Sequence, residues 1–390
     1  MKKQKTERKI PLYDIKLSAA AIKEVTATVK SGWLNTGPRG ATFEKAICRL
    51  TKTRYGAAVG SATVGLQMVL TAINAQPGAE VVTTPNTFVS TVEAIMATGA
   101  KPVFADVNPV TLNIDPDEVA HKISTQTVAV MPVDLGGYPS DYDALNEICQ
   151  AKRTPLIADA AHSIATKYRG RAVSHHTDAA VISFQTTKNL ACGEGGIILT
   201  PHKELIDVVR IMARHGLTSS AHQRKKSRKW EYDAILPGMK GNMSELHAAI
   251  GLGQLEVFEK DQAKRETLAE RYLENLSGLG EYLELPQSDR SHRHGWHLFI
   301  IRLHLSRLKI DRNKLIELMA RRGVECSVHY KPIFELSYYR DALGLTGQHF
   351  PNATYAGQRV VTLPLYAGLK LSDVDYICEC ISEIVKKYKK

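Results

Sequence analysis

One stretch constrains this chain more than any other: AAVISFQTTKNLACGEGGIIL, residues 179–199. It opens with an apolar run of the length and composition of a buried strand. A polar turn carrying Lys188 follows, then glycines at 193, 195 and 196, then a second apolar run from Ile197. A lysine held on a short tether by glycine-rich backbone at the end of a core strand sits in a dry, shaped place. There its amine can lose a proton and form a Schiff base. A surface lysine beyond a strand also fits this stretch taken alone. The rest of the chain decides against that.

A chain of 390 residues is long enough for a large core and two domains. Its 44% hydrophobic and 23% charged content is that of an ordinary soluble enzyme. No apolar run approaches the roughly 18 residues of a membrane span, so no membrane insertion is expected. The basic start, MKKQKTERKIP, lacks the apolar region of a secretion signal, and a cytoplasmic location is expected. The six cysteines include no CxxC pair, which suggests neither a metal site nor a disulfide framework. A net charge of +11 raises the question of nucleic acid. Two of the basic clusters, 2–9 and 386–390, are chain ends, where charge runs are usually solvated. No recognition module accompanies them. An anionic small substrate explains the internal cluster at 224–229 more simply.

Before and after the central stretch, strand-like and helix-like segments alternate. Short strands are predicted at 55–59, 80–83, 101–106, 127–132 and 155–158, with helices at 15–30, 42–53, 115–122, 142–151 and 203–212. This is the rhythm of an α/β domain with a mainly parallel sheet. Ser61, Ala62 and Thr63 open a helix after the first strand; free amides there suit a phosphate, and equally an ordinary N-cap. Phe88, in the loop after 80–83, either stacks on a planar ring or joins the core. Asp159 ends the strand at 155–158, where open sheets gather ligand groups, and a carboxylate there can bond to a protonated ring nitrogen. His162 follows at nearly one helical turn if a helix starts there. Alternatively Asp159 caps that helix and His162 is packing. Strand–Asp–helix followed by strand–Lys–Gly places an anion and an amine at one rim of one sheet.

Residues 219–230 form a polar, basic excursion, and long loops in compact enzymes are commonly functional or disordered. A strong helix begins near Ser244, and a long one over 254–276 leads to a region of different character. There 294–303 and 324–330 read as strands, 311–322 and 371–388 as helices, giving a small α+β domain. His329 and Tyr330 end one of those strands and could reach a cleft. The division expected is an N-terminal arm at 1–15, a large α/β domain at 16–260 and a small domain at 261–390.

The segments SGWLNTGP, GSATVGL, PNTFVST, IADAAHSI, SFQTTKNLACGEGG, RHG, GMKGNMSELHAAIGLGQL and LPLY together resemble the DegT/DnrJ/EryC1/StrS family of nucleotide-sugar aminotransferases over nearly the whole chain. The SAT, DAAH and HxWHLF wording is most similar to the UDP-4-amino-4-deoxy-L-arabinose synthase branch. The resemblance implies a fold-type I transferase dependent on pyridoxal 5'-phosphate. It implies Lys188 as the cofactor lysine, Asp159 as partner of the pyridinium nitrogen, and His162 near the phenolic oxygen. Phe88 would stack on the ring, and Ala62, Thr63 and Ser183 would bind the phosphate. Lys240 and Asn242 would complete that phosphate site in a neighbouring subunit, hence a homodimer. The family's wording there carries two tyrosines that this chain lacks at Met239 and Gly241. His329 matches a position near the sugar, and the loop with Arg228 and Lys229 one that crosses to the partner's site. L-Glutamate would be the amino donor and a nucleoside-diphosphate ketosugar the acceptor, aminated at C4. The family's sugar dehydratases have histidine in place of the lysine, so Lys188 argues against that activity. A 3-aminotransferase and a non-catalytic cofactor-binding regulator remain the alternatives.

Overall fold

The computed structural model describes residues 8–219, 228, 230–289 and 291–390. Helices α1 (Ala19–Ser31) and α2 (Pro38–Thr51) lead into a Rossmann-like alternation. In order come β1 (Tyr55–Val59), α3 (Ala62–Ala72), β2 (Glu80–Thr83), α4 (Val89–Met96), β3 (Lys101–Phe104), α5 (Pro116–Lys122), β4 (Thr127–Met131) and α6 (Tyr142–Lys152). Then come β5 (Ile157–Asp159), a small hairpin of β6 (Lys167–Tyr168) and β7 (Arg171–Ala172), β8 (Ala179–Ser183), β9 (Gly196–Thr200) and α7 (Lys203–Met212). Strands β1, β9, β8 and β5 form one ladder, and β3, β2 and β4 another. Parallel bridges Val130↔Leu156 and Val133↔Asp159 join the two, so the site residues at the end of β5 lie mid-sheet. Among the described strands of these two ladders, β9 alone runs against its neighbours.

Every residue of β8 and β9 is buried, as expected where helices cover both faces of a sheet. Helix α2 has no side-chain cap of its own, although Pro38 starts it. Instead Glu245, first residue of α8 (Glu245–Leu255), accepts the amides of Arg39 and Gly40 at 2.9 and 2.8 Å. A buried carboxylate is tolerable there because the helix start supplies both hydrogen bonds and favourable dipole.

Helix α9 (Phe258–Leu276) carries the chain to a three-stranded antiparallel sheet of β10 (Leu283–Glu284), β11 (Phe299–Leu303) and β12 (Val360–Leu363). Around it lie α10 (Arg312–Ala320), α11 (Ser337–Leu343), α12 (Pro351–Gly357) and α13 (Leu371–Lys387). Ile10 packs into this region's core and forms a parallel bridge with Val324. A separate cluster, including Val92, Phe104, Ile300 and Phe334, packs residues of this C-terminal region against α4 and β3.

Three expectations need correction. The stretch 324–330 is no strand: Val324 bridges Ile10 and Ser327 bridges Thr362, with nothing continuous between. No helix follows Asp159; Ser163 N–H donates to Ala160 O and Thr166 N–H to Ser163 O in successive turns. The reason is crowding, since Gly137 and Gly295 both approach the His162 carbonyl so closely that a Cβ on either would fall 3.0 to 3.3 Å from it. The long helix over 254–276 is two helices, turning at Glu256–Val257.

Candidate active site

Lys188 lies in the loop between β8 and β9, and the loop is clamped at several points. Lys188 N–H donates to Gln185 O at 2.8 Å, the Thr187 amide and hydroxyl both donate to Gln185 Oε1, and Thr186 Oγ1 donates to Gly193 O at 2.7 Å. Gly196 lets β9 pass under the start of α3, because a Cβ there would fall 2.8 Å from Ala62 N. The result is a cavity of about 470 Å³ lined by Ala62, Thr63, Phe88, Asp159, His162, Ser183, Lys188 and His329, among others. Eight of the site residues expected from sequence therefore share one space. The size is ordinary for a small-molecule site.

Asp159 is buried and faces the cavity from the end of β5. Its Oδ2 accepts from Thr91 Oγ1 at 2.7 Å and its Oδ1 from the Ala161 amide at 3.2 Å. Burial pushes its carboxyl above the ordinary range, while Thr91, the Ala161 amide and the Lys188 charge pull the other way. Burial also brings the Lys188 amine down to about 8, against the attraction of Asp159. An amine so placed is partly free base near neutral pH, as a nucleophile or proton carrier must be.

His162 Nδ1 accepts the Gly136 amide at 3.2 Å. The proton of the neutral ring therefore belongs on Nε2, which meets the Tyr330 hydroxyl at 3.2 Å. Burial, then Lys188 and His329, hold His162 well below the usual histidine range. His329 is likewise brought down to about 4, by burial first and Lys188 second; its Nδ1 shares a hydrogen bond of 2.8 Å with Thr362 Oγ1.

Phe88 precedes α4 and remains 55% exposed, its ring 5.9 Å from that of Tyr330. The PNTFVST segment thus divides its work: Thr87 and Thr91 hydrogen-bond to each other at 2.6 Å and Thr91 holds Asp159, while Phe88 turns to the cavity. At the other end, Ser61 Oγ accepts the Val64 amide, so Ala62 and Thr63 supply the first helical amides, which have no partner within a helix.

Pyridoxal phosphate fits these residues. The helix start and Ser183 suit its phosphate, Asp159 its ring nitrogen and Lys188 its aldehyde. Their chemistry is complementary at all three ends, and the close approach that Gly196 permits keeps the phosphate end narrow.

Other expected residues lie elsewhere. Lys240 is exposed and Asn242 donates to Asn35 Oδ1 and Thr36 Oγ1 at 3.1 and 2.7 Å; neither lines this chain's cavity. Arg228 is exposed, and Lys229 is outside the described residues. Sequence reading missed His297, whose Nε2 is 3.4 Å from Lys188 Nζ. The signal was the pair of histidines in HGWHLF: His294 stacks on Trp296 at 3.8 Å, whereas His297 lines the cavity. Leu12 and Tyr13, from the arm, also line it; nothing in their local sequence marks them.

Comparison with known proteins agrees with this chemistry. The chain is 38% identical over 370 residues to the spore coat polysaccharide biosynthesis protein SpsC of Bacillus subtilis, covering 94% of each. Among solved structures it resembles Spr1654 of Streptococcus pneumoniae, assigned as a sugar aminotransferase. Its PLP form is 29% identical with a TM-score of 0.88, covering 96% of this chain and 99% of that one. A PMP form of the same protein gives a TM-score of 0.90. The aminotransferase TlmJ of Streptoalloteichus hindustanus is 30% identical, with a TM-score of 0.87 and coverage of 97% and 98%. The fold is that of fold-type I pyridoxal-phosphate enzymes, and the relatives support sugar aminotransferase chemistry with that cofactor. The model of the DegT/DnrJ/EryC1/StrS aminotransferase family matches residues 16–382, and the chain belongs to that family.

Proposed function

We propose that this protein moves the amino group of L-glutamate to the C4 keto carbon of a nucleoside-diphosphate ketosugar. The observation that carries the reading is one cavity holding both an amine brought down to about 8 and a buried carboxylate. When bound, pyridoxal phosphate supplies a conjugated ring that withdraws electrons from the carbon losing its proton. Asp159 keeps a proton on the ring nitrogen, and Thr91 holds the carboxylate in place. Lys188 would hold the cofactor's aldehyde end through Nζ, and the same amine would take up and return the migrating proton. His162 would lie toward the phenolic oxygen, its Nε2 within 3.2 Å of the Tyr330 hydroxyl. Phe88, which lines the cavity, would cover one ring face and exclude water.

His329 contributes to sugar binding, and the basic segment with Arg228 and Lys229 to the diphosphate. Lys240 and Asn242 complete the phosphate site of a partner subunit, making the protein a homodimer. Support for an apolar self-contact comes from the exposure of Ile22, Val29 and Leu34, and a two-fold pairing gives two equivalent sites. The SAT, DAAH and HxWHLF wording favours the UDP-4-amino-4-deoxy-L-arabinose synthase branch, and the product would feed polysaccharide or lipopolysaccharide assembly from the cytoplasm. Among the described residues no helix is long and apolar enough to cross a membrane.

The test is stepwise. Protein loaded with pyridoxal phosphate is mixed with L-glutamate and followed by absorbance, and the amine form is then titrated with 4-keto and 3-keto nucleotide sugars. Discharge by glutamate and recovery with a 4-ketosugar are expected, with the product's amine placed on C4 by NMR. Recovery only with a 3-ketosugar would move the reaction to C3. A cofactor band that neither substrate changes would leave a binding protein.

A further inference from the structure

The hydrogen bonds behind Lys188 have one self-consistent direction, and it ends on the lysine. Gly295 O and the Glu266 carboxylate can only accept. Gln262 Nε2 lies 3.0 Å from Gly295 O and 3.3 Å from Glu266 Oε1, so Gln262 Oε1 is the acceptor end. Asn189 Nδ2 donates to that Oε1 at 2.9 Å and to Gly295 O at 2.6 Å, which turns Asn189 Oδ1 toward His297. That oxygen lies 3.2 Å from His297 Nδ1, so Nδ1 must carry the proton. In the neutral ring the other nitrogen, Nε2, is then a bare acceptor, 3.4 Å from Lys188 Nζ.

The ring stays neutral because of where it is. His297 is 7% exposed, and burial, with Lys188, His162, Arg265 and His329 nearby, pushes it well below the ordinary histidine range. The turn before it is fixed by packing, since a Cβ on Gly295 would fall 2.7 Å from Thr166 Oγ1.

We propose that His297 is a positioning residue for Lys188: locked by Asn189 with its proton on Nδ1, it accepts one N–H of the lysine amine through Nε2 and so fixes where the amine's lone pair points. This rests on the reading of Lys188 as the cofactor lysine. Because an acceptor favours the ammonium over the free amine, the hydrogen bond also opposes the lowering of Lys188 by burial and holds its titration nearer to the ordinary lysine range. Facing the amine in the cavity are Asp159 and His162 beyond β5, Glu194 in the β8–β9 loop, and His329 and Tyr330 from the C-terminal region. On the far side of Lys188 a second, smaller cavity is lined by Asp14, Lys16, Asp261 and Lys264. All of these are common to the variants below, so a difference between variants reads position 297.

The experiment is competitive acylation of the cofactor-free full-length protein across pH, with labelling of Lys188 measured by mass spectrometry. His297→Phe keeps an aromatic ring and removes the acceptor. The Lys188 titration is expected to fall by roughly one to two pH units. His297→Gln, which can present an amide oxygen near the Nε2 position, should bring it back toward wild type. If His297 only packs, the order reverses: Phe behaves as wild type and Gln disturbs. That result, or equal shifts in both, overturns the proposal. A measurement on unmutated protein guards against misfolded variants: in protein labelled with ¹⁵N-histidine, His297 must show a protonated Nδ1 and an unprotonated Nε2. The opposite tautomer refutes it. Neither readout involves transamination, so a failed glutamate half-reaction would remove the proposed function while leaving this inference standing.

Discussion

The cavity has two unlike walls. One is built on the α/β sheet: Asp159 at the end of β5, Ser183 at the end of β8 and Ala62 at the start of α3, all fixed by sheet register and close backbone approach. The other comes from the region of the C-terminal antiparallel sheet: His297 ahead of β11, and His329 and Tyr330 in a segment with only isolated bridges. The first wall sets the proton chemistry, since both strongly buried charged groups, Asp159 and Lys188, hang from it. The second is made of neutral histidines, His297 buried and His329 half-buried, and of Tyr330, whose hydroxyl burial keeps protonated. The difference teaches that the charge work is carried by a strand end and by a clamped loop between two core strands, while the surroundings that orient and select come from segments with only isolated bridges.

The largest expected effect breaks the first wall outright. Lys188→Ala should lower turnover by about 10⁴-fold or more, since the proton carrier is gone. The same change should raise the thermal stability of the cofactor-free protein. In the folded state this amine titrates at about 8, below the ordinary lysine value of 10.5. Between those values the unfolded chain holds the proton and the folded protein does not, so wild-type stability gains with rising pH across that window. The stabilising effect of Lys188→Ala should therefore be greatest below pH about 8 and fade toward 10.5, as melting curves at several pH values would show.

Next is Asp159→Asn. It keeps the shape but loses the charge that holds the ring nitrogen protonated, and kcat should fall about 10²–10³-fold, with cofactor still bound by absorbance. Thr91→Val is milder. It removes a buried hydrogen bond to that carboxylate, at a cost of about 1–3 kcal/mol, and should weaken retention of the cofactor in equilibrium dialysis. The smallest change sharpens the contrast between the walls. His329→Ala should raise KM for the ketosugar about tenfold and leave the glutamate half-reaction nearly as it was. If His329→Ala instead slowed both half-reactions equally, the division of labour between the walls would be wrong.

The same contrast explains what could be read in advance. Strands β1, β2, β4 and β8 and the helix at 203–212 announce themselves because apolar residues form a short run at the heart of each strand or repeat at helical spacing. Lys188 and Asp159 were legible because they follow such runs directly. The second wall was not. His297 sits beside Trp296, whose φ of 47° takes the backbone out of strand geometry, so alternation along HGWHLFIIRL does not reveal which histidine faces the cavity. The stretch 324–330 has strand-like composition, yet its partners, Ile10 and Thr362, are far away in sequence, and tertiary pairing decided against a continuous strand. Thr91 was hidden for a different reason: a threonine in the first turn of a helix looks like helix chemistry, not like a ligand for a carboxylate 68 positions on.

The central claim is that Lys188 carries the cofactor in this cavity. It is tested most directly by adding pyridoxal phosphate, reducing with borohydride, and mapping the pyridoxyl group by peptide mass spectrometry. The account predicts one stoichiometric modification, on Lys188, absent when the protein is first converted by L-glutamate. Modification at another lysine, or scattered over several with Lys188 unmarked, would contradict it.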